Sequence, residues 1–436
     1  MKNRKTTNVC PCRRKKPSAE GKGSVPMIKD KVLPQNAPDL EQKQDAGMER
    51  YLSSRVRAIP PSGIRRFFDL VSGSKDIISL GVGEPDFATP WRVRDAAVYA
   101  LEKGRTQYTA NAGLPELREA IGRYLHQRFQ LQYDPAKEII VTVGGSEGID
   151  LALRALVEPG DEVLVPEPTY LPYAPMTTLC GGVPIGIETF AKDQFKLTEE
   201  SLRAHLTPKS KVLILCYPSN PTGGIMTYED LLPIAKVVKE HDLIVISDEI
   251  YAELTYGTRH VSIASLPGMK ERTIVVSGFS KAFAMTGWRM GYACGHPDLI
   301  GAMLKIHQYS IMCAPIMGQI AALESLSPTG MEEMMRMIES YNQRRRLIVD
   351  GFRQIGLPCH EPQGAFYAFP SIQQTGLTSE EFAQRLVVEA KVAAVPGHVF
   401  GKGGEGFIRC SYATSVSQLI EALDRIDKFL NKIRVV

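Results

Sequence analysis

The stretch TIVVSGFSKAFAMTGWRMGY, residues 273–292, decides the fold more than any other part of the chain. It begins with a short run, TIVVSG, that is apolar and rich in valine and isoleucine, which is typical of a strand buried on both faces of a parallel sheet. Lys281 follows this run after two residues. Ligands of open α/β sheets gather at the carboxyl ends of the strands, so the stretch predicts a parallel sheet with a chemically active end.

Four runs upstream share this character. They are EIIVTV (138–143), EVLVP (162–166), KVLILCYP (211–218) and LIVISDE (243–249). Helical patterns separate them, among them SEGIDLALRALV (146–157) and YEDLLPIAKVVKEH (228–241). Strands that alternate with helices predict an α/β fold, with a mostly parallel sheet between layers of helices.

The chain is expected to divide into four parts. Residues 1–47 are rich in Lys, Pro, Gly and Gln and show no periodic pattern, which predicts a disordered extension, and Met48 begins a sequence that reads as a natural start. Residues 86–325 carry the alternating pattern and form the large domain. Residues 326–436 form a smaller α+β domain, to which the N-terminal segment 48–85 contributes.

The smaller domain is predicted from a change of pattern after residue 326. A long helical stretch, GMEEMMRMIESYNQRRRLIVDGFRQIG (330–356), precedes strand-like GAFYAFP, helical SEEFAQRLVVEAK, strand-like FIRCSYA and a last amphipathic helix. The run Arg344–Arg346 in the long helix is expected to lie on a solvated face.

Composition excludes several classes of protein. Apolar residues make up 44% and charged residues 23%, as in ordinary globular proteins, and no run is long enough to span a membrane. Residues 1–47 hold eleven Lys/Arg against five Asp/Glu, so the net charge of +4 leaves about −2 for the rest, which gives no electrostatic reason to expect a nucleic-acid partner. Six of the eight cysteines lie in or beside apolar runs, which indicates reduced thiols in a cytoplasmic protein.

Lys281 and two neighbours carry the chemistry of the opening stretch. A lysine at the end of a buried strand is costly unless it is neutralised or bonded, and condensation with an aldehyde cofactor removes its charge and creates a reactive imine. Ser280 and Arg289 suit a phosphate, the arginine through its planar fork. A surface lysine in a loop is the alternative interpretation.

In VISDEIY (245–251), Asp248 follows a strand that otherwise reads as fully buried. A carboxylate there needs a cationic partner, and a protonated pyridine nitrogen is one that turns an aromatic ring into an electron sink. Tyr251, three residues on, is able to donate a hydrogen bond to a phenolate oxygen on the same ring. A helix cap is the alternative interpretation of Asp248.

Weaker signals come from turns and loops, each of which has a purely structural explanation when taken alone. Backbone N–H groups at the start of the helix after VTV form an anion site, and Asn220, in CYPSNPTGG (216–224), offers an amide donor. The remaining candidates are Gly145, Ser146 and Glu147 at that helix start, Tyr170 for ring stacking, Arg409 for a carboxylate, and Gly83 and Gly113 for close backbone approach.

In their order along the chain these motifs resemble the fold-type I enzymes that use pyridoxal 5′-phosphate (PLP), specifically class I aminotransferases of the prokaryotic aspartate and aromatic branch, with the N-acetyl-diaminopimelate group among the candidates. The resemblance covers residues 48–436. It depends on the set GEPDF, YTANAG, GGSEG, SNPTGG, SDEIY, SKAFAMTGWR and FIRCSYA. Several of these are weak individually, and their specificity comes from the combination.

The resemblance implies a role for each candidate. Lys281 matches the Schiff-base lysine that also shuttles the substrate proton, and Asp248 matches the acid on the pyridine nitrogen, while Asn220 and Tyr251 match the residues on the ring oxygen. Arg409 matches the arginine that binds the substrate α-carboxylate, with Gly83 as a backbone contact to the same group. The phosphate site is implied to comprise Gly145, Ser146, Ser280 and Arg289, with Tyr108 from the neighbouring subunit of a homodimer.

The resemblance also implies the reaction, a ping-pong transfer from an amino acid to a 2-oxo acid such as 2-oxoglutarate through pyridoxamine phosphate. Aspartate-specific members often carry a lysine where this chain has Ser146, which argues against strict aspartate specificity. PPSGIRRFF, YAELTY, HQYSIMCAP and GGEGFIRCSYA look closer to members acting on aromatic or bulky amino acids or on N-acetyl-diaminopimelate.

Two rival functions are set against this one. A β-elimination lyase uses the same fold, cofactor and carboxylate-binding arginine, and differs in releasing pyruvate and ammonia without an acceptor. A transcription regulator with a PLP-binding domain needs a DNA-binding headpiece, for which residues 1–47 are too few and too irregular. No metal site is predicted, because Cys10-Pro-Cys12 has no second pair of ligands.

Overall fold

The computed structural model describes residues 47–61 and 76–434, apart from the side chain of Arg434. The predicted extension at 1–47 and most of PPSGIRRFF lie outside these described residues. The chain divides into two units, Met1–Leu52 and Ser53–Val436. Of the first unit, the described part contains one short 3-10 helix, Met48–Tyr51.

The second unit alternates strands and helices. Its strands are β1 (Ile78–Ser79), β2 (Ile139–Val143), β3 (Glu162–Glu167), β4 (Val183–Glu188), β5 (Ser210–Cys216), β6 (Ile244–Asp248), β7 (Thr273–Gly278), β8 (Met290–Cys294), β9 (Tyr367–Ala368), β10 (Val392–Ala393), β11 (Val395–Pro396) and β12 (Ile408–Ser411). Its α-helices are α1 (Ser54–Arg57), α2 (Trp91–Glu102), α3 (Pro115–Phe129), α4 (Gly144–Leu156), α5 (Tyr173–Cys180), α6 (Glu199–Ala204), α7 (Tyr228–Glu240), α8 (Pro297–Ser310), α9 (Ile316–Ser325), α10 (Pro328–Gln354), α11 (Ser379–Arg385) and α12 (Val416–Arg434).

Seven strands form the central sheet in the order β2-β8-β7-β6-β5-β3-β4. Only β8 runs antiparallel to its neighbours, β2 and β7. The predicted α/β class with a mostly parallel sheet is therefore confirmed. All five predicted apolar runs form strands of this sheet, because each is buried along most of its length.

Both faces of the sheet are covered, as the continuous apolar runs predicted. In β5, Val212 and Ile214 pack into one core layer with α4 and α8, while Leu213 and Leu215 pack into another with α7. Alternate residues of a strand point to opposite faces, so a strand between two apolar layers has no position for a polar side chain until it ends.

Two strands of the sheet were not predicted. The edge strand β4 has the sequence VPIGIE and is largely accessible, so it lacks the continuous apolar run of its neighbours. The strand β8 is buried at every position, but its sequence MGYAC contains glycine and alanine in place of a run of Val and Ile. An accessible edge strand gives a weak pattern for another reason, because burial on both faces is what produces an uninterrupted apolar run.

The helix α7 illustrates how local sequence sets an element boundary. The Thr227 hydroxyl accepts from the backbone N–H of Asp230, and the Asp230 carboxylate accepts from the N–H of Thr227 at 2.8 Å. This capping box satisfies two N–H groups that a helix start otherwise leaves without partners. It fixes the helix start after β5, so that Ile234 and Val238 face the sheet.

The C-terminal part contains the three-stranded antiparallel sheet β11-β12-β9 and a parallel pair of β1 with β10. Ile78 is the register partner of Val392 in that pair. The long helical stretch forms α10, and the last amphipathic stretch forms α12. The domain boundaries at residues 85 and 325 stay predictions.

The expectation of a solvated face at Arg344–Arg346 is wrong for two of the three residues. Arg344 is buried, bonds both carboxylate oxygens of Asp86 at 2.7 Å and lies over the Phe87 ring. Arg345 is buried too, and its guanidinium donates to Glu361 at 2.7 Å. Buried arginines of this kind need a carboxylate partner from a distant part of the chain, which a local charge run does not reveal.

Within the described ranges, no helix combines the length and apolar character that crossing a membrane requires. The six cysteines there, Cys180, Cys216, Cys294, Cys313, Cys359 and Cys410, are all free thiols.

Candidate active site

A cavity of about 340 Å³ lies at the carboxyl ends of β5, β6 and β7. Eleven of the fourteen predicted site residues line it, namely Gly83, Gly145, Ser146, Tyr170, Asn220, Asp248, Tyr251, Ser280, Lys281, Arg289 and Arg409. The lining also includes Gly81, Glu84, Ile149, Cys216, Ile250, Thr286 and Tyr367, none of which was predicted. Sequence-distant motifs therefore meet in one concave site, as strand ends in an α/β sheet should.

Lys281 follows β7 and directs its amine into this cavity. The Nζ donates to the carbonyl oxygen of Gly83 at 2.6 Å and lies 5.8 Å from the centroids of the Tyr251 and Phe366 rings. Burial lowers the pKa of the Lys281 amine to about 8, although Glu84 opposes the shift. At neutral pH a larger share of this amine is therefore neutral than for an exposed lysine, and the neutral form is the nucleophile.

Asp248 ends β6 in the floor of the same cavity. Burial raises the pKa of its carboxyl to about 6, while two donors oppose the shift. The Tyr173 hydroxyl donates to Oδ2 at 2.6 Å, and the backbone N–H of Ile250 donates to Oδ1 at 3.2 Å. An acid held in this way gains most from a cation that enters the cavity.

Arg409 enters from β12 and is almost fully buried. Its Nη1 donates to Oδ1 of Asn220 at 2.9 Å, and its Nη2 donates to the Gly81 carbonyl at 2.7 Å. Among the residues that the structure describes, the Nε has no hydrogen-bond partner. A planar guanidinium at a cavity wall with donor capacity left over suits a carboxylate ligand.

The start of α4 forms the opposite wall. This helix begins at Gly144, directly after β2, with Gly145 and Ser146 in its first turn. Gly144 has φ +73°, and a Cβ there would lie 2.6 Å from Nη2 of Arg289, so only glycine lets the guanidinium approach the helix start. Free N–H groups at a helix start beside an arginine make an anion site.

Three predicted residues lie outside the cavity lining. Gly113 has φ +100°, and a Cβ there would lie 2.5 Å from the Val141 side chain, so this glycine leaves room for β2. The Glu147 carboxylate turns inward, where it accepts from the backbone N–H of Val143 and contacts Nδ1 of the buried His307 at 2.7 Å. Tyr108 is 79% exposed. For Glu147 the sequence predicted only that the backbone N–H in the first turn of α4 binds an anion, and the inward-turned carboxylate is compatible with that. For Tyr108 it predicted a contact to a neighbouring subunit, and an exposed side chain is compatible with that.

A family described as aminotransferase class I and II matches residues 75–426. The chain belongs to this family. The match covers the central sheet, every cavity-lining residue and most of the C-terminal part.

Individual relatives agree with this assignment. A putative aminotransferase of Bacillus subtilis, YugH, is 57% identical over 88% of this chain and 100% of its own length. An aspartate aminotransferase of Pyrococcus abyssi is 46% identical over 87% of this chain and 98% of its own, and a probable N-acetyl-LL-diaminopimelate aminotransferase of B. subtilis is 43% identical over 89% and 98%. The crystal structure of an aromatic aminotransferase from Pyrococcus horikoshii superposes with a TM-score of 0.81 at 44% identity, covering 86% of this chain and 100% of that one.

Aminotransferases of this family depend on PLP, and the cavity fits that cofactor. The amine of Lys281 and the buried acid Asp248 suit an aldehyde and a pyridine nitrogen, and the Gly144–Arg289 contact with the start of α4 suits a phosphate. Within the described ranges, no cluster of three or more His, Cys, Asp or Glu side chains is arranged to hold a metal ion.

Two tyrosines of this aminotransferase were missed at the sequence level. Tyr173, which bonds Asp248, lies in PEPTYLPYAP (166–175), only three residues after the predicted Tyr170, and its full burial requires a hydroxyl partner. Tyr367 lies in GAFYAFP, which was assigned only a strand. Neither spacing points to the partner, because the contacts join segments 75 and 116 residues apart.

Proposed function

We propose that this aminotransferase moves the amino group of an amino acid to a 2-oxo acid, with 2-oxoglutarate as the acceptor, in the two half-reactions of a ping-pong cycle. The observation that carries the proposal is the presence, in one cavity, of the amine of Lys281, the buried acid Asp248 and the carboxylate-binding arginine Arg409. When bound, PLP supplies an electron-withdrawing ring that stabilises negative charge at the substrate Cα.

Lys281 and Asp248 are proposed to act as base and counter-ion. The amine of Lys281, whose pKa is lowered by burial, removes the proton from the substrate Cα. The same amine then delivers this proton to the C4′ carbon of the cofactor. Asp248 holds the pyridine nitrogen in its protonated form, because its hydrogen-bond donors among the described residues are both neutral and a buried carboxylate is stabilised by a cation.

The other residues are proposed to bind and orient. Asn220 and Tyr251 bond the ring oxygen, Tyr170 stacks on the ring, and Arg409 with Gly83 binds the substrate α-carboxylate. The phosphate site is proposed to consist of Gly145, Ser146, Glu147 through its backbone, Ser280 and Arg289. A homodimer adds the hydroxyl of Tyr108 of the partner subunit, which the exposure of this side chain supports.

The proposed donor is an aromatic or bulky amino acid, or N-acetyl-diaminopimelate, rather than aspartate alone. Three cationic side chains of the described residues line the cavity, Lys281, Arg289 and Arg409, and each is assigned to another group. Ser146 has no charge to offer the side-chain carboxylate of aspartate. The similarity to aminotransferases named for aspartate, aromatic amino acids and N-acetyl-LL-diaminopimelate makes this a question for direct assay.

A cytoplasmic location is part of the proposal, and the free thiols of Cys216, Cys294, Cys359 and Cys410 in the protein interior support it.

Two experiments test the function. Borohydride treatment of the purified protein followed by peptide mapping is expected to leave the pyridoxyl group on Lys281, and a label on another residue would overturn the assignment. A panel of donors, including aspartate, phenylalanine and N-acetyl-diaminopimelate, is then assayed with 2-oxoglutarate. Turnover that requires the acceptor supports transamination, whereas pyruvate and ammonia released without it would show β-elimination.

A further inference from the structure

Tyr367 has no role in the function proposed so far, although it lies at the centre of the site. It is on β9, a two-residue strand paired with β12, which carries Arg409. Its side chain is fully buried and lines the cavity. Burying a phenol hydroxyl is unfavourable unless the hydroxyl finds a partner, so its contacts show what it does.

The side chain of Tyr367 contacts three residues that have proposed roles. Its hydroxyl lies 2.8 Å from the hydroxyl of Tyr251. Its ring lies under the Arg409 guanidinium, with the central carbon 4.5 Å from the ring centroid. A Cβ on Gly83 would lie 2.6 Å from the Tyr367 hydroxyl, so this glycine leaves the space that the hydroxyl occupies.

The direction of the hydrogen bond between the two tyrosines follows from what each hydroxyl has to do. Burial raises the pKa of both phenols, so at neutral pH each keeps its one hydrogen. If Tyr251 donates its hydrogen to the ring oxygen of the cofactor, it has none to give to Tyr367. The contact of 2.8 Å is then a hydrogen bond only if Tyr367 is the donor.

We propose that Tyr367 is a positioning residue with two separable parts. Its hydroxyl donates to Tyr251 and so holds and polarises the hydroxyl that bonds the cofactor ring oxygen, while its ring supports Arg409 in the orientation that binds the substrate carboxylate. The inference rests on the proposed function, because it assigns Tyr251 and Arg409 the roles stated there.

The hydroxyl part has a spectroscopic consequence. A donor to the ring oxygen stabilises negative charge there and thereby favours loss of the proton from the Lys281–cofactor linkage. In a chain of hydrogen bonds each donor strengthens the next, so loss of the Tyr367 hydroxyl weakens the Tyr251 donor. The protonated chromophore should then persist to higher pH.

The test uses the holoenzyme and two substitutions at one position. In Tyr367→Phe, we expect the pH midpoint of the cofactor absorbance change to rise by about half a unit to one unit, while KM for the donor stays within about twofold, because the ring under Arg409 remains. In Tyr367→Leu, we expect the same rise of the midpoint together with an increase of KM by about threefold or more.

Tyr256→Phe is the matched control. Tyr256 is also buried and its hydroxyl donates to the carbonyl oxygen of Ala365 at 2.6 Å, but it does not line the cavity. This substitution should leave the midpoint where it is in the wild type. A midpoint shift of equal size in Tyr256→Phe would overturn the proposal, since it would trace the effect to looser packing.

The pair Tyr251→Phe and Tyr251→Phe/Tyr367→Phe provides an independent measurement. If Tyr367 acts through Tyr251, the double variant should titrate like the single Tyr251 variant, because the two effects are not additive. An unchanged midpoint in Tyr367→Phe, or additive shifts in the double variant, would overturn the inference while the wild-type chromophore still supports the proposed function. A wild type that forms no chromophore with PLP would overturn the proposed function itself.

Discussion

Two buried carboxylates follow one another at the end of β6, and they lie in opposite surroundings. Asp248 faces the cavity, with one neutral hydroxyl and one backbone N–H as donors. Glu249 faces the interior, where the hydroxyls of Ser247 and Ser262 donate to Oε1 at 2.9 and 2.6 Å. His260 Nε2 lies 2.9 Å from Oε2, without the alignment of a hydrogen bond.

The difference between the two shows how to tell a functional acid from a structural one. Both side chains are almost completely buried, so burial does not distinguish them. Glu249 has two serine hydroxyls at one oxygen and a histidine ring beside the other, whereas Asp248 borders open space and bonds only neutral donors among the described residues. A buried acid that the protein itself leaves without a cation is one that a ligand is expected to complete.

The largest effect is expected for Asp248→Asn, measured as turnover with the preferred donor. Asparagine keeps the shape of the side chain but not the charge that holds the pyridine nitrogen protonated, so kcat should fall by about a thousandfold. Glu249→Gln is the control and should keep kcat within a few-fold of wild type once the folded fraction is accounted for. Equal losses of kcat in Asp248→Asn and Glu249→Gln would show that the two carboxylates do not differ in function.

The second effect is on stability and falls on the other carboxylate. Glu249→Gln replaces the carboxylate beside His260 by an amide and weakens the acceptor of two buried hydroxyls, so the free energy of unfolding should fall by about 3 kcal/mol. Thermal unfolding of the apoprotein followed by circular dichroism measures this loss. A variant as stable as wild type would show that the interior cluster contributes no net stability.

The third effect has the opposite sign and appears only without cofactor. Burial raises the folded-state pKa of Asp248 to about 6. The contribution of this carboxyl to the free energy of unfolding is therefore fully present below the ordinary pKa of aspartate and is lost as pH rises through 6. Asparagine does not ionise, so the Asp248→Asn variant does not lose stability in this way. Relative to pH 4.5, the apoprotein variant should therefore gain about 2 kcal/mol over wild type at pH 8. Unfolding midpoints at the two pH values check the gain, and a variant less stable at pH 8 would contradict it.

The same comparison shows what the sequence is able to predict. Asp248 and Lys281 were found because they come at or just after the end of a run that burial keeps apolar, whereas Arg409 was found only as a cation that suits a carboxylate. The order of such strands identified the sheet for the same reason. The missed tyrosines are buried as well, but their function lies in contacts between distant segments, of Tyr173 with Asp248 and of Tyr367 with Tyr251. Side-chain pairs of this kind depend on how the elements pack, which a local pattern does not contain.

The charged clusters were harder to interpret for a related reason. Arg344 reads as part of a solvated run, yet it bonds Asp86 across 258 residues. Glu147 reads as a member of an anion site, yet its carboxylate bonds His307 in the interior. Sequence shows that a charge is present, and only the fold shows which opposite charge compensates it.

The smallest effect concerns the hydroxyl that supports Asp248. Tyr173 donates to Oδ2 at 2.6 Å and lowers the pKa of the carboxyl against the effect of burial. In Tyr173→Phe this donor is gone, so the pKa should rise further above its value of about 6. The ionised acid binds the cofactor, so affinity for PLP should be lost at a higher pH as the solution is acidified.

Titration of the apoprotein with PLP between pH 5 and 8 measures this shift. We expect the acid midpoint of PLP affinity in Tyr173→Phe to lie about half a unit to one unit above that of wild type. Tyr292→Phe serves as the matched control, because Tyr292 is buried on β8 and does not line the cavity. The same PLP phosphate is titrated with wild type, Tyr173→Phe and Tyr292→Phe. A difference in the acid midpoint of PLP affinity between these proteins therefore reports a change at the Asp248 carboxylate. If the midpoint of Tyr173→Phe coincided with that of Tyr292→Phe, the ionisation of Asp248 would not be what limits PLP binding at low pH, and Asp248 would resemble Glu249 more than the geometry indicates.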